Sequence, residues 1–194
     1  MMKQEAKLES ITTLISQGIQ PGRVLDPRGV SCRLITPRNL GGVLVDGEPT
    51  EESLRDGSFE QYLLQEGDVL ILNRGGSLKP AMVTADYAGT VAGQNLVLLR
   101  PGAQLEPLYL VALLRAPTMK RSLVKLFTAG TTMPMLNVSR LRELVVPLPD
   151  LETQRKVALL LEEHERYVAA TTKALQARAE LVEVALGHVI GGVK

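Results

Sequence analysis

The residues best suited to chemistry sit in loops and carry hydrogen-bond donors rather than nucleophiles. Asn73-Arg74-Gly75-Gly76-Ser77-Leu78-Lys79 follows an apolar run. Its two glycines permit close approach of backbone to a ligand, while Arg74, Ser77 and Lys79 supply donors of the kind that phosphate oxygens and guanine edges accept. Arg33, Arg38 and Asn39 form a second polar cluster beside a turn; an Asn amide matches adenine and a guanidinium matches guanine. Lys120, Arg121 and Lys125 fall on one expected helix and could follow a phosphate backbone. Thr131 and Thr132 lie in the small-residue loop Thr128–Pro134, a candidate base-contacting loop. Each cluster also has a plain structural reading: a glycine-rich hairpin, a solvated helix face, a helix stop followed by a turn.

Catalytic signatures are absent. The chain has no GxxxxGK[ST] loop, no GxGxxG after a strand, no CxxC and no HExxH. Both histidines, His164 and His188, fall in the C-terminal tail, so a Ser-His-Asp site in the remainder has no imidazole. Asp68, in Glu66-Gly67-Asp68, reads as a turn acid before a buried strand. The sole cysteine, Cys32, permits neither an internal disulfide nor a cysteine-based zinc site.

The elements that must position these loops follow from the pattern. The chain has 194 residues, a hydrophobic fraction of 45%, no Trp and a net charge of +1. An aliphatic core is expected, and charge is balanced on both sides of Asp150, so any nucleic-acid contact must use a local basic stripe. Strands are expected at Ser31–Ile35, Val43–Val45, Val69–Leu72, Ala81–Thr84, Leu96–Leu99 and Leu144–Val146. Helices are expected at Pro107–Leu114 and Pro117–Phe127. Glu48–Asp56 reads as an acidic loop or helical turn, and Lys7–Ile15 as a short amphipathic segment. The fold class is α+β, with mixed strands and helices followed by one long helix. No apolar run approaches the ~18 residues of a membrane span. The N-terminus lacks a signal-peptide core, and a reducing cytoplasm fits.

From Glu152 to Ile190 the sequence carries neither Pro nor Gly except Gly187, which gives a helix of roughly 55 Å. Leu160, Tyr167, Ala174, Leu181 and His188 repeat every seven residues, as do Leu161, Val168, Leu175, Val182 and Val189. Two apolar rows with a mixed row between them resemble a coiled-coil seam that requires a partner. The alternative is a hairpin bend near Ala169–Thr172. The expected organisation is residues 1–150 as a head that carries the candidate binding loops, 151–190 as an association and spacer helix, and 191–194 as a flexible tail.

Taken in order, GDVLILNRGG (Gly67–Gly76), AGQNLVLLRP (Ala92–Pro101), PLYLVALLRAP (Pro107–Pro117) and TAGTTMPMLNVSRLRELVVPLPDLETQRKVALLL (Thr128–Leu161) resemble the specificity subunit of type I restriction–modification systems. The likeness runs from about Lys7 to Gly187. It implies a target recognition domain followed by a conserved helix, with no catalysis by this chain. Modification subunits would bind S-adenosylmethionine and methylate adenine in double-stranded DNA, and motor-nuclease subunits would cleave it. Full-length members carry two such units with antiparallel helices, and this chain carries one. A second copy is therefore the expected partner, giving a homodimer that reads a bipartite, palindromic site. Lys79-Pro80 replaces a glycine-containing step common in the family, and Gly18–Gly42 matches loosely. A coiled-coil assembly protein without DNA specificity is the competing expectation.

Overall fold

The computed structural model describes residues 4–20, 22, 24–128 and 132–191. The chain divides into two compact units, Met1–Ala158 and Leu159–Lys194. Among its described residues the first unit contains three small sheets. β1 (Glu5–Lys7) pairs antiparallel with β9 (Val145–Pro147). A four-stranded antiparallel sheet has the order β2 (Thr12–Gln17), β8 (Leu96–Pro101), β5 (Val69–Leu72) and β6 (Ala81–Met82). In the third sheet β3 (Leu25–Ile35) lies between β4 (Thr50–Leu54), antiparallel, and β7 (Val91–Ala92), parallel. The short helices are α1 (Leu8–Ile11), α2 (Pro107–Arg115), α3 (Lys120–Val124) and α4 (Val138–Arg142), and α5 spans Leu151–Gly191.

The core is aliphatic, as the composition requires. Leu70, Leu96, Leu98, Ile35, Leu64 and Val83 form one cluster. Ile19, Cys32, Leu34, Leu54 and Val91 form a second, with Phe59 packed at its margin. β5 and β8 bury both faces, so each reads as a continuous apolar run rather than an alternation. Gly18 lets two segments cross closely: a Cβ there would lie 2.1 Å from the Gly93 carbonyl oxygen.

Several expected elements differ. Glu48–Asp56 contains strand β4, whose one buried residue is Leu54; an edge strand with a single inward apolar residue carries almost no period-2 signal. Lys7–Ile15 is divided among β1, α1 and β2. Val43–Val45 contributes one bridge, Leu44 to Met82, and the Ala81–Thr84 strand shrinks to Ala81–Met82. The second expected helix is a 3₁₀ turn at Pro117–Met119 followed by the single turn α3. Residues 169–172 are helical throughout, so the hairpin alternative does not occur.

Two polar clasps hold the first unit. Asp68 is 1% exposed. It receives Nε and Nη2 of Arg100, both at 2.8 Å, and the Gln65 N–H at 2.8 Å. Arg100 also donates to the Leu63 carbonyl at 3.1 Å. The bond to Asp68 raises the Arg100 pKa beyond its ordinary value. Asp68 is thus a structural anchor, as its turn position suggested. The second clasp is Gln154, 1% exposed. Its Oε1 accepts from the Glu106 N–H at 2.9 Å, and its Nε2 donates to the Gln104 and Pro149 carbonyls at 3.0 and 2.8 Å. Beside it, the Asp150 carboxylate accepts from the Thr153 N–H and hydroxyl. Those bonds hold the Asp150 carboxyl below the usual range. Its stabilisation is therefore present above the ordinary Asp pKa and lost as pH falls through the depressed one.

Replacing Arg100 with Ala leaves the Asp68 carboxylate buried without its counter-charge. A destabilisation of about 3–5 kcal/mol is expected, read as a fall in the midpoint of denaturant unfolding at unchanged slope.

Candidate nucleic-acid interface

The end of β5 runs into the loop Asn73–Pro80, which needs left-handed backbone at Gly75 (φ 94°), Gly76 (φ 73°) and Lys79 (φ 40°). The glycines take this conformation freely, while Lys79 adopts one that side chains rarely do. A second segment is stitched onto this loop. Gly75 donates to the Pro134 carbonyl at 3.1 Å, Leu136 donates to the Asn73 carbonyl at 2.8 Å, and Arg74 bridges Met135. The second segment is closed on itself, since Thr128 N–H donates to the Met135 carbonyl and Met135 N–H to the Thr128 hydroxyl. Asn137 caps α4 by accepting from the Arg140 N–H, and the Arg140 guanidinium reaches the Lys125 carbonyl at 3.1 Å.

The structure therefore brings together residues far apart in sequence. Arg74, Gly75, Gly76, Ser77 and Lys79 are exposed, and so are Thr132 and Lys125. The loop and the α2–α3 segment share a groove of about 640 Å³, whose walls include Gly76, Ser77, Lys79, Leu123 and Val124. Arg121 is exposed on α3. Lys120 begins that helix, and its side chain lies outside the described residues, as does Thr131. Arg33 and Arg38 are exposed but do not line this groove. Arg33 lies opposite Glu51 in the β3–β4 register, and the Arg38 guanidinium bonds the Thr50 hydroxyl.

Asn39 corrects the sequence expectation. It is 2% exposed. Its Oδ1 accepts from the Thr36 N–H and hydroxyl, and its Nδ2 donates to the Asp46 and Glu48 carbonyls at 2.8 and 3.2 Å. The whole hydrogen-bonding capacity of the amide is spent on closing the Thr36–Glu48 loop, and none faces outward for a base.

Sequence reasoning missed four residues at the interface. Met133 is 57% exposed and Met135 40%, beside Arg74. Arg140 adds a cation; its only sequence signal was its place at the start of a short helix. Arg115 donates to the Pro80 and Gly42 carbonyls at 3.3 and 2.6 Å, tying the groove wall to the loop before β4. Next to Arg74, Asn73 Oδ1 is buried without a hydrogen-bond partner. Among the described residues no three His, Cys, Asp or Glu side chains converge on a metal position. No helix there is long and apolar enough to cross a membrane.

Comparison with known proteins gives this arrangement its frame. Residues 52–181 match the type I restriction modification DNA specificity domain. A putative type I restriction enzyme MjaX specificity subunit from Methanocaldococcus jannaschii is 28% identical over 130 residues, covering 64% of this chain and 30% of the relative. Among solved structures, a chain from a study of complex assembly and conformational transition of the type I R-M system superimposes with a TM-score of 0.68. It is 23% identical, with 93% of this chain and 43% of that chain covered. The HsdS subunit from Thermoanaerobacter tengcongensis superimposes with a TM-score of 0.64 at 20% identity, covering 96% and 49%. The chain belongs to the type I restriction–modification DNA specificity family, and its α+β fold with a long C-terminal helix is that of the specificity subunits. It spans about a third to a half of the length of the relatives it matches.

If Asn39 serves the loop rather than a base, Asn39→Ala lowers stability by about 2–4 kcal/mol, because the Thr36 N–H and two carbonyls lose their partner. Calorimetry is expected to show a lower Tm, while any DNA sequence preference measured well below that Tm stays unchanged.

Proposed function

We propose that this chain is the non-catalytic DNA sequence-specificity component of a type I-like restriction–modification system, working as a homodimer on a bipartite, palindromic site. The observation that carries this reading is the stitching of the Asn73–Pro80 loop to the 132–136 segment. It holds the exposed Arg74, Ser77 and Lys79 against the segment that carries the exposed Thr132, in a chain that belongs to this family. Guanidinium and ammonium groups with short hydroxyls suit phosphate positioning and base-edge contact. The interface has no need of a cofactor of its own. S-adenosylmethionine is bound by methyltransferase subunits that dock on the specificity subunit, and a motor-nuclease subunit acts where the system also cleaves. The role belongs to the cytoplasm, where the DNA is.

The exposed apolar rows of α5 support the dimer. Leu160 is 70% exposed, Tyr167 71% and Leu181 69%, and Val168, Leu175 and Val182 are exposed with them; the side chain of Val189 lies outside the described residues. Exposure of this extent along one helix marks a surface made to be covered.

The test is sequence-selected DNA binding by the purified chain with its methyltransferase subunits, followed across salt concentrations. Affinity is expected to fall steeply with salt as counterions are released. Arg74→Ala is expected to cost about 1–3 kcal/mol at one position of the site and to relax preference there; uniform weakening across sequences would place Arg74 on phosphate. Absence of any sequence preference, with oligomers that ignore DNA, would replace this reading with that of a coiled-coil assembly module.

A further inference from the structure

Residues 159–188 of α5 carry three neighbouring rows on one face. The outer rows are Leu160, Tyr167, Ala174, Leu181 and Leu161, Val168, Leu175, Val182. The middle row is polar at its centre: His164, Thr171 and Arg178. All are exposed except Leu161, which is half-buried. The question is which partner, in which register, suits an apolar face with a polar midline.

Taking as partner the antiparallel second copy that the homodimer reading and the family arrangement imply, we infer that the two-fold axis passes through Thr171. A two-fold perpendicular to paired antiparallel helices brings each row against the same row of the other copy. Centred on Thr171, Leu160 meets the partner's Leu181, and Tyr167 meets the partner's Ala174. In the other outer row Leu161 meets the partner's Val182, and Val168 meets the partner's Leu175. In the middle row Thr171 meets itself and His164 meets the partner's Arg178. Every apolar residue faces an apolar one. The largest side chain, Tyr167, faces the smallest, as interdigitated packing requires. The polar midline satisfies itself, since an imidazole nitrogen accepts from a guanidinium and two hydroxyls bond each other.

Neighbouring registers lack this match. Shifting one heptad toward the N-terminus centres the axis between Tyr167 and Val168. Tyr167 then stacks on its own copy, and Arg178 lies against Val157. Shifting one heptad toward the C-terminus centres it between Ala174 and Leu175, with His164 against Ala185 and Leu160 against His188. A parallel pair would set Arg178 against Arg178, a like-charge contact inside the seam. Charge and size complementarity therefore select one arrangement. The inference rests on the homodimer reading above, and the register would fix the spacer between the two half-sites.

Single-cysteine substitution reads the register, because a residue cross-links to its own counterpart only near the axis. Thr171→Cys is compared with Tyr167→Cys, Val168→Cys, Ala174→Cys and Leu175→Cys in the full chain under mild oxidation. The unsubstituted chain serves as the control for buried Cys32, and sedimentation reports the oligomeric state of each variant. The expected result is disulfide dimer several-fold faster for Thr171→Cys than for any other. His164→Glu, facing the partner's Arg178, is expected to tighten the dimer several-fold. A maximum at 167 and 168, or at 174 and 175, would overturn the register and leave the homodimer standing. Equal cross-linking at all five would mean parallel helices, and dimers that cross-link at none would remove the seam from this face; both overturn the proposal. A monomer in every assay, including with methyltransferase subunits, would end the homodimer reading itself.

Discussion

The register of β5 against β8 is the constraint on which the interface depends, and one buried ion pair fixes it. Val69 is paired with Leu99, so Asp68 and Arg100 are the next pair along the ladder. Their two contacts at 2.8 Å close only in that register. Because side chains alternate across a strand, a slip of one residue would exchange the two faces of β5 and re-aim the Asn73–Lys79 loop. The apolar runs of β5 and β8 cannot prevent this by themselves. Valine and leucine at successive positions make neighbouring registers similar in hydrophobic burial, whereas a buried carboxylate accepts only the register that supplies its cation. A polar contact is thus what aims an otherwise undiscriminating pair of strands.

The same division of labour recurs at Gln154 and Asn39. Each is an amide with almost no exposure, and each joins segments that share no regular ladder: Gln154 joins the first turns of α5 to Gln104–Glu106, and Asn39 closes Thr36–Glu48. Apolar packing drives collapse but is indifferent to small displacements, while a fully satisfied amide has one geometry. Arg74 and Lys79, by contrast, are exposed cations whose loop is held by backbone bonds to the 134–136 segment.

This separation explains what the sequence made legible. Strands β5 and β8 were visible as apolar runs bounded by turns, α2 by its proline start, and α5 by uninterrupted heptads. The Gly75-Gly76 loop was visible because glycine pairs mark left-handed backbone, which the structure has there. Strand β4 was hidden because its residues are the polar run Thr50-Glu51-Glu52-Ser53 and only Leu54 is buried. Asn39 was read as a base-reading amide because composition cannot distinguish an exposed Asn from one whose four hydrogen bonds are all internal. The contribution of Arg140, Met133 and Met135 was invisible for another reason: it arises from backbone bonds between Asn73–Gly75 and Pro134–Leu136, sixty residues apart, which no local pattern encodes.

The long helix presents the opposite balance. Its solvent faces are laced with short-range ion pairs: Arg166 bonds Glu162 and Glu163, and Lys156 bonds Glu152. Such pairs contribute only a few tenths of a kcal/mol each at exposed positions. They maintain helical conformation but leave the apolar rows from Leu160 to Val182 uncompensated in water. A helix selected only to be a soluble appendage would carry polar residues there. Two rows of leucine, tyrosine and valine that stay exposed, with a polar row between them that complements itself under reversal, are what the proposed homodimer would cover. In the proposed reading the head recognises its target through cations and hydroxyls that suit an acidic, hydrogen-bonding surface, and the tail associates through side chains that suit an apolar one. The two halves of the chain would then be completed by different chemistries, phosphate and base edges for one and a like helix for the other.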